Sequence, residues 1–229
     1  MTGTKLGVRV YLIGEPQGDT KAFASVAVDD LVAIRGIRVV DGENGPFVSM
    51  PQSKDRHGDY HDTAFPLTAD LRKGITKAVL GEYSKVASLP QELRGYERSD
   101  MDAAKAENIE DVKLDIRVQL LKFPKRDTKA VASVSVNGLV AINDVRIVAG
   151  PKGLFVTMPQ SRDKDKKYHD VAFPLNADLR KKITKGVLEQ FHAVKPRSLG
   201  EKLAAGAEKA AAHVSPQPSA AKGSPGIGE

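Results

Sequence analysis

The stretch Ala64-Phe65-Pro66-Leu67-Thr68-Ala69-Asp70-Leu71-Arg72-Lys73 returns about 108 positions later as Ala172-Phe173-Pro174-Leu175-Asn176-Ala177-Asp178-Leu179-Arg180-Lys181. Its chemistry reads as a strand running into a helix. Pro66 and Pro174 bar helix in the residue before each of them. Thr68 and Asn176 carry the side-chain oxygens that suit an N-cap, and Asp70 and Asp178 fall in the first turn, where negative charge suits the helix dipole. Leu71, Ile75, Val79 and Tyr83 then follow at four-residue steps, as do Leu179, Ile183, Val187 and Phe191. Each set is the core-facing stripe of an amphipathic helix. Arg72, Lys73 and Lys77 and their counterparts Arg180, Lys181 and Lys185 lie off the stripe, toward solvent.

The repetition extends outward from this stretch. Lys21 to Val28 matches Lys129 to Val136, and Phe47 to Ser53 matches Phe155 to Ser161. The offset holds without a gap from residue 21 to residue 83, with roughly three positions in five identical. Two copies with a long spacer mean two domains of one fold. In the first copy Leu6, Val8, Val10 and Leu12 alternate as in a half-buried strand. Ala22 to Val28 predicts a second strand and Leu31 to Val40 a third, after a turn at Asp29-Asp30. Gly42-Glu43-Asn44-Gly45 is a tight hairpin signal, and Phe47 to Met50 is a short fourth strand. The second copy repeats the plan from Leu114 through the hairpin Gly150-Pro151-Lys152-Gly153. The fold class is α+β, each copy an antiparallel meander closed by one C-terminal helix that covers one face of the sheet.

Residues 1–83 and 112–191 are therefore read as two domains, with an acidic, partly helical linker at 84–111 and an Ala/Pro/Gly-rich tail at 192–229. Within the tail, Ser198 to Glu201 is a capping-box pattern before an alanine-rich stretch. From Ser215 onward the composition predicts disorder.

The 229 residues contain no cysteine, which excludes disulfides, thiolate metal sites and cysteine nucleophiles, and agrees with a reducing, cytoplasmic setting. No apolar run approaches membrane-spanning length. The net charge of +6 is unevenly placed. The first copy has about 10 basic and 11 acidic side chains, the second about 16 and 8. A local excess of that size attracts polyanions.

The polar segment from Pro51 to Asp62, between meander and helix, reads as a loop, and loops carry function more often than cores. Its counterpart runs from Pro159 to Asp170. Lys54 and Arg162 keep their charge across the copies, as do Arg56 and Lys164, while His57, Gly58 and Asp59 become Asp165, Lys166 and Lys167. The repeated Tyr60-His61-Asp62 and Tyr168-His169-Asp170 invite a metal or catalytic reading. Neighbouring residues in an extended chain point to opposite sides, however, so His61 and Asp62 do not converge on one ligand. No spaced histidine pair or glycine-rich phosphate loop accompanies them, and no serine sits in a nucleophile elbow. The expectation is a protein that is not an enzyme and needs no cofactor or metal.

The run Ile37-Arg38-Val39-Val40-Asp41-Gly42, followed by Gly45-x-Phe47-Val48-x-Met50-Pro51, Ser53-Lys54 and the Ala64-x-Pro66 turn, resembles the stage V sporulation protein G (SpoVG) family. The resemblance covers about two-thirds of the chain, once per repeat. It implies a small antiparallel sheet with a helix that dimerises, binds DNA and RNA and regulates septation or sporulation without enzymatic activity. Two positions depart from the family pattern: Lys166 stands where the first copy has Gly58, and Phe65 and Phe173 stand where the family often has histidine. If members dimerise through one surface, a tandem copy makes that contact within one chain, as an intramolecular pseudo-dimer. The linker of about 28 residues is long enough to allow it.

The nucleic-acid-binding candidates are Lys54, Arg56, Arg162, Lys164, Lys166 and Lys167 in the loops, and Arg72, Lys73, Arg180, Lys181 and Lys182 at the helix starts. Lysine and arginine there would neutralise phosphates with little sequence preference. Tyr60 and Tyr168 are candidates for stacking on unpaired bases. The expected partners are DNA or RNA, the other repeat, and further copies of the chain. The competing reading is a protein-interaction module without nucleic acid, in which sheet edges recruit a partner.

Overall fold

The alternation of apolar residues in each copy becomes a strand order that is the same twice. The computed structural model describes residues 4–14, 18–55, 58–90, 109–121, 127–162 and 166–194. The first repeat runs β1 (Leu6–Leu12), β2 (Thr20–Val28), β3 (Val32–Gly42), β4 (Gly45–Ser49), β5 (Gln52–Lys54), β6 (Tyr60–Asp62), β7 (Ala64–Pro66) and α1 (Ala69–Ser88). The second runs β8 (Leu114–Leu120), β9 (Thr128–Val136), β10 (Val140–Gly150), β11 (Gly153–Thr157), β12 (Gln160–Arg162), β13 (Tyr168–Asp170), β14 (Ala172–Pro174) and α2 (Ala177–Val194). Strands β1 to β4 pair antiparallel in sequence order, and so do β8 to β11. The expected meander followed by a helix is present in both repeats.

Local chemistry explains the turns. Asp29 and Asp30 both have positive φ (50° and 53°), as do Asn137 and Gly138 (53° and 64°), and Leu31 N–H closes the first turn on Val28 O at 3.0 Å. Two left-handed residues in succession match the twist of the flanking strands. At the β3–β4 hairpin the Phe47 ring lies over Gly42, where a Cβ would come within 3.1 Å of it. A bulge interrupts β3 at Gly36 (φ 74°), and β10 has Asp144 at φ 61° in the same place. Thr68 caps α1, its Oγ1 accepting from Leu71 N–H at 3.2 Å, and Asn176 Oδ1 accepts from Asp178 N–H at 2.7 Å at the start of α2.

Two readings of the sequence need correction. The segment from Pro51 to Asp62 is not simply a loop, because β5 and β6 form a two-stranded hairpin, repeated as β12 and β13. Its strands are polar on both sides, so no apolar alternation announced them. The helices also run past the expected repeat ends at 83 and 191, α1 to Ser88 and α2 to Val194. Residues 91–108 of the linker and 195–229 of the tail lie outside the described residues, as do the candidates Arg56 and Lys164.

The short strands before the helices pair across the repeats. β7 lies against β10, with Ala64 opposite Ile142, Phe65 opposite Ala141 and Pro66 opposite Val140. Reciprocally, β14 lies against β3, with Ala172 opposite Ile34, Phe173 opposite Ala33 and Pro174 opposite Val32. Residue i meeting j while the copy of j meets the copy of i is the pattern of a two-fold contact. Proline is admissible there because each short strand is the outermost on its sheet. Leu67 N–H donates to Leu139 O at 2.7 Å, and Leu175 N–H to Leu31 O at 2.9 Å.

The helix stripes fill the core as the spacing requires. Leu71, Ile75 and Val79 are buried under the first sheet, and Leu179, Ile183, Val187 and Phe191 under the second. Tyr83 is only half-buried against the same cluster. Among the described residues, no helix is long and apolar enough to cross a membrane.

Candidate nucleic-acid interface

In each repeat the hairpin ends where the helix begins, and one carboxylate joins them. Asp62 accepts from Gln52 Nε2 at 3.0 Å and faces Arg72 Nη2 at 3.8 Å. Asp170 accepts from Gln160 Nε2 at 2.9 Å and faces Arg180 Nη2 at 3.6 Å. The helix-start arginines are thus half-exposed and partly neutralised. At the other end of the hairpin, about 7 Å along two strand residues, Lys54 sits opposite Tyr60 with Nζ 5.4 Å from the ring centroid. Arg162 sits opposite Tyr168 with Cζ 5.8 Å from the centroid. Both rings remain about two-thirds exposed (64% and 65%), each with one face occupied by its own cation.

The hairpin turn is organised by Asp55. Its Oδ1 accepts from the N–H groups of Gly58 and Asp59, both at 2.9 Å, and its Oδ2 lies 3.0 Å from His61 Nε2. His61 therefore turns to Asp55 while Asp62 turns to Gln52 and Arg72, the divergence that strand alternation requires. Lys166 adopts φ 64° where Gly58 has φ 98°, so the second turn keeps a left-handed residue without the glycine. Arg162 Nε donates to Lys166 O at 3.3 Å.

Along the outer side of α1, Arg72, Lys73, Thr76 and Lys77 line one shallow depression. Arg180, Lys181, Thr184 and Lys185 line its equivalent on α2. Lys181 is paired with Asp178 at 3.0 Å and Lys185 with Glu189 at 3.9 Å. The links Gln52–Asp62–Arg72 and Gln160–Asp170–Arg180 tie each hairpin to the start of the helix that follows it.

Lys182 stands apart from its neighbours. Its Nζ donates to Ile109 O (3.0 Å), Glu110 O (2.9 Å) and Val112 O (2.8 Å), so all three protons go to the chain entering the second repeat. The first repeat has Gly74 at this position. Sequence reasoning also did not single out Gln52, Asp62, Gln160 and Asp170 as the groups that hold hairpin and helix together. Their identity in both repeats was the available signal.

Comparison with known proteins agrees with this duplicated plan. The SpoVG family model matches residues 4–85 and again residues 112–193. A Clostridium kluyveri protein provisionally named septation protein SpoVG is 42% identical over 79 residues, which is 34% of this chain and 81% of the relative. One from Geobacillus thermodenitrificans with the same provisional name is 39% identical over 77 residues, 34% of this chain and 80% of the relative. One from Treponema denticola is 36% identical over 83 residues, 36% of this chain and 88% of the relative. Each alignment is the length of one repeat. With two family matches spanning most of its length, the chain belongs to the SpoVG family and carries the family's domain twice.

Proposed function

We propose that this chain is a non-enzymatic regulator that binds DNA or RNA through phosphate contacts, with its two repeats docked as an intramolecular pseudo-dimer. The observation that carries the reading is the Gln160–Asp170–Arg180 link, which ties the hairpin bearing Arg162, Lys166 and Lys167 to the helix start bearing Arg180 and Lys181, on the more basic repeat. The reciprocal pairing of β7 with β10 and β14 with β3 supports the pseudo-dimer. Lys54, Arg72 and Lys73 would make the weaker half of the surface, because Asp59 replaces a lysine there and the first repeat has no net positive charge. Lys182 is left out, since its protons are already used.

The test is a salt titration of the purified protein against short fluorescent single- and double-stranded DNA and RNA. Each phosphate neutralised contributes a log–log salt slope of about −0.9 on duplex DNA and about −0.7 on single strands. Reversing the charge of Arg162, Lys164, Lys166 and Lys167 is expected to abolish binding. Equal loss on reversing Lys54 and Arg56 would remove the asymmetry between the repeats. No binding even at low salt would refute the reading and leave a protein-interaction module.

A further inference from the structure

The first sheet has a second face, turned away from α1. Leu6, Val8, Val10 and Leu12 of β1 pack toward the core, and a Cβ on Gly74 of α1 would lie 3.6 Å from Leu6. Arg9 and Tyr11 therefore stand on the opposite face. The strand register carries that face across the sheet, with Tyr11 opposite Phe23, Phe23 opposite Arg38, and Arg38 opposite Ser49. Phe47, two residues before Ser49, shares it. The three rings are exposed by 39%, 46% and 49% in the order Tyr11, Phe23 and Phe47. A single exposed aromatic needs no explanation, whereas three on one sheet face mark a binding surface.

The second repeat shows what this face looks like without that equipment. Gln119 and Val131 replace Tyr11 and Phe23, leaving only Phe155 exposed among the corresponding rings. Its arginines are also neutralised, Arg117 by Asp115 at 3.6 Å and Arg146 by Asp144 at 3.8 Å. In the first repeat those two acids are Gly7 and Gly36. Among the described residues, neither Arg9 nor Arg38 has a carboxylate within ion-pair reach, and Arg38 Nη2 instead meets Ser49 Oγ at 3.4 Å. Although the first repeat has no net positive charge, this face combines bare rings with uncompensated cations.

We propose that the open face of the first sheet is a stacking platform for single-stranded nucleic acid. Tyr11, Phe23 and Phe47 would take base faces, and Arg9 and Arg38 the intervening phosphates. The proposal rests on the nucleic-acid reading above and adds to it a second, strand-selective surface. Tyr11, Phe23 and Arg38 lie side by side across β1, β2 and β3 at strand spacings of about 4.8 Å, with Arg9 and Phe47 two residues along β1 and β4 on the same face. A patch of neighbouring rings flanked by guanidinium groups suits a polymer that carries both exposed π-faces and negative charges. A duplex hides its base faces inside the stack, so it would gain only the charges. A second copy of the same face would bring cations toward cations.

The test transplants the second repeat's own residues into the full-length chain, as the double variant Tyr11→Gln, Phe23→Val and separately as Gly7→Asp. The scaffold already tolerates these side chains on the equivalent sheet, and a Cβ at Gly7 would meet only Ala27 Cβ at an ordinary 3.6 Å. Binding is measured with single-stranded and duplex 12-mers of DNA and of RNA. The double variant is expected to lose about tenfold or more in single-strand affinity while keeping its duplex affinity and its melting temperature. Gly7→Asp is expected to weaken single-strand binding and to shrink its salt slope by about one phosphate's share. Comparison of the DNA and RNA arms identifies which strand is preferred. If the wild type binds single strands and the double variant binds them equally well, the platform is refuted while the function above stands. If the wild type binds nothing, the functional reading fails and the platform with it. If the double variant only converts a dimer to a monomer in sedimentation, the face belongs to a second copy and the proposal is overturned.

Discussion

Lys182→Met separates a structural lysine from a phosphate-binding one. The Lys182 ammonium is half-buried and donates to Ile109 O, Glu110 O and Val112 O at 2.8–3.0 Å. Methionine preserves the packing of the aliphatic stem while removing every donor. A hydrogen bond to a charged group contributes roughly 1.5–3 kcal/mol when shielded. Glu110 O belongs to an exposed residue and regains water on mutation, but Ile109 O and Val112 O are partly buried and do so less completely. The net cost is therefore about 2 kcal/mol rather than the sum of three bonds. For a folded unit of this size that lowers the melting temperature by about 4–8 °C. Hydrogen exchange gives the local readout. The Val112 amide, bonded to Ile109 O at 3.2 Å, and the Lys113 amide, bonded to Asn137 Oδ1 at 2.9 Å, are expected to lose protection before the sheets do. Nucleic-acid affinity should stay unchanged. An unaltered melting temperature together with weakened nucleic-acid binding would refute the assignment and return Lys182 to the interface.

Four further substitutions probe the repeat contact, the β3 bulge and the candidate interface. Phe173→Ala removes a buried ring that packs across the repeats with Arg35 Cζ 4.5 Å above it, and should cost about 4 kcal/mol in urea denaturation. Phe65→Ala, half-buried and with Asn143 at the position that is Arg35 in the first repeat, should cost about half as much, and a Phe173→Ala loss below about 1 kcal/mol would argue against docked repeats. Gly36→Ala places a side chain at φ 74° in the β3 bulge and should lose about 1 kcal/mol although Pro51 leaves room for the methyl. An unchanged denaturation midpoint would mean that the bulge is not left-handed. Asp170→Asn keeps the bond from Gln160 available but frees Arg180, so nucleic-acid affinity should rise while stability moves by less than about 1 kcal/mol, and a fall in affinity would count against Arg180 as a phosphate ligand.

The duplication, the meander, the helix stripes and the caps at Thr68 and Asn176 were legible in the chain because each depends on residues near one another in sequence. Strand alternation, helical spacing and turn chemistry are short-range physics. The β5–β6 hairpin was not legible, since its pairing of Gln52 with Asp62 and Lys54 with Tyr60 involves polar side chains that leave no periodic apolar trace. The same limit applied to the candidate site. Charge counts marked Arg72, Arg180 and Lys182 alike, but only the fold sets carboxylates beside the two arginines and three carbonyls around the lysine. Tyr11 and Phe23 sit at outward positions of ordinary strands, and an aromatic on such a face is the signal that the sequence carries for the platform.

What the sequence determined by itself was two copies of one α+β unit, their family, and an excess of positive charge on the second. What tertiary structure alone decided was the partner of β7 and β14, the fate of each cation, and the gathering of three rings on one face. Those outcomes depend on which distant segments meet. β7 has the same sequence signals whether it folds onto its own sheet or onto β10. The choice is made by the long-range register that sets Ala64, Phe65 and Pro66 against Ile142, Ala141 and Val140.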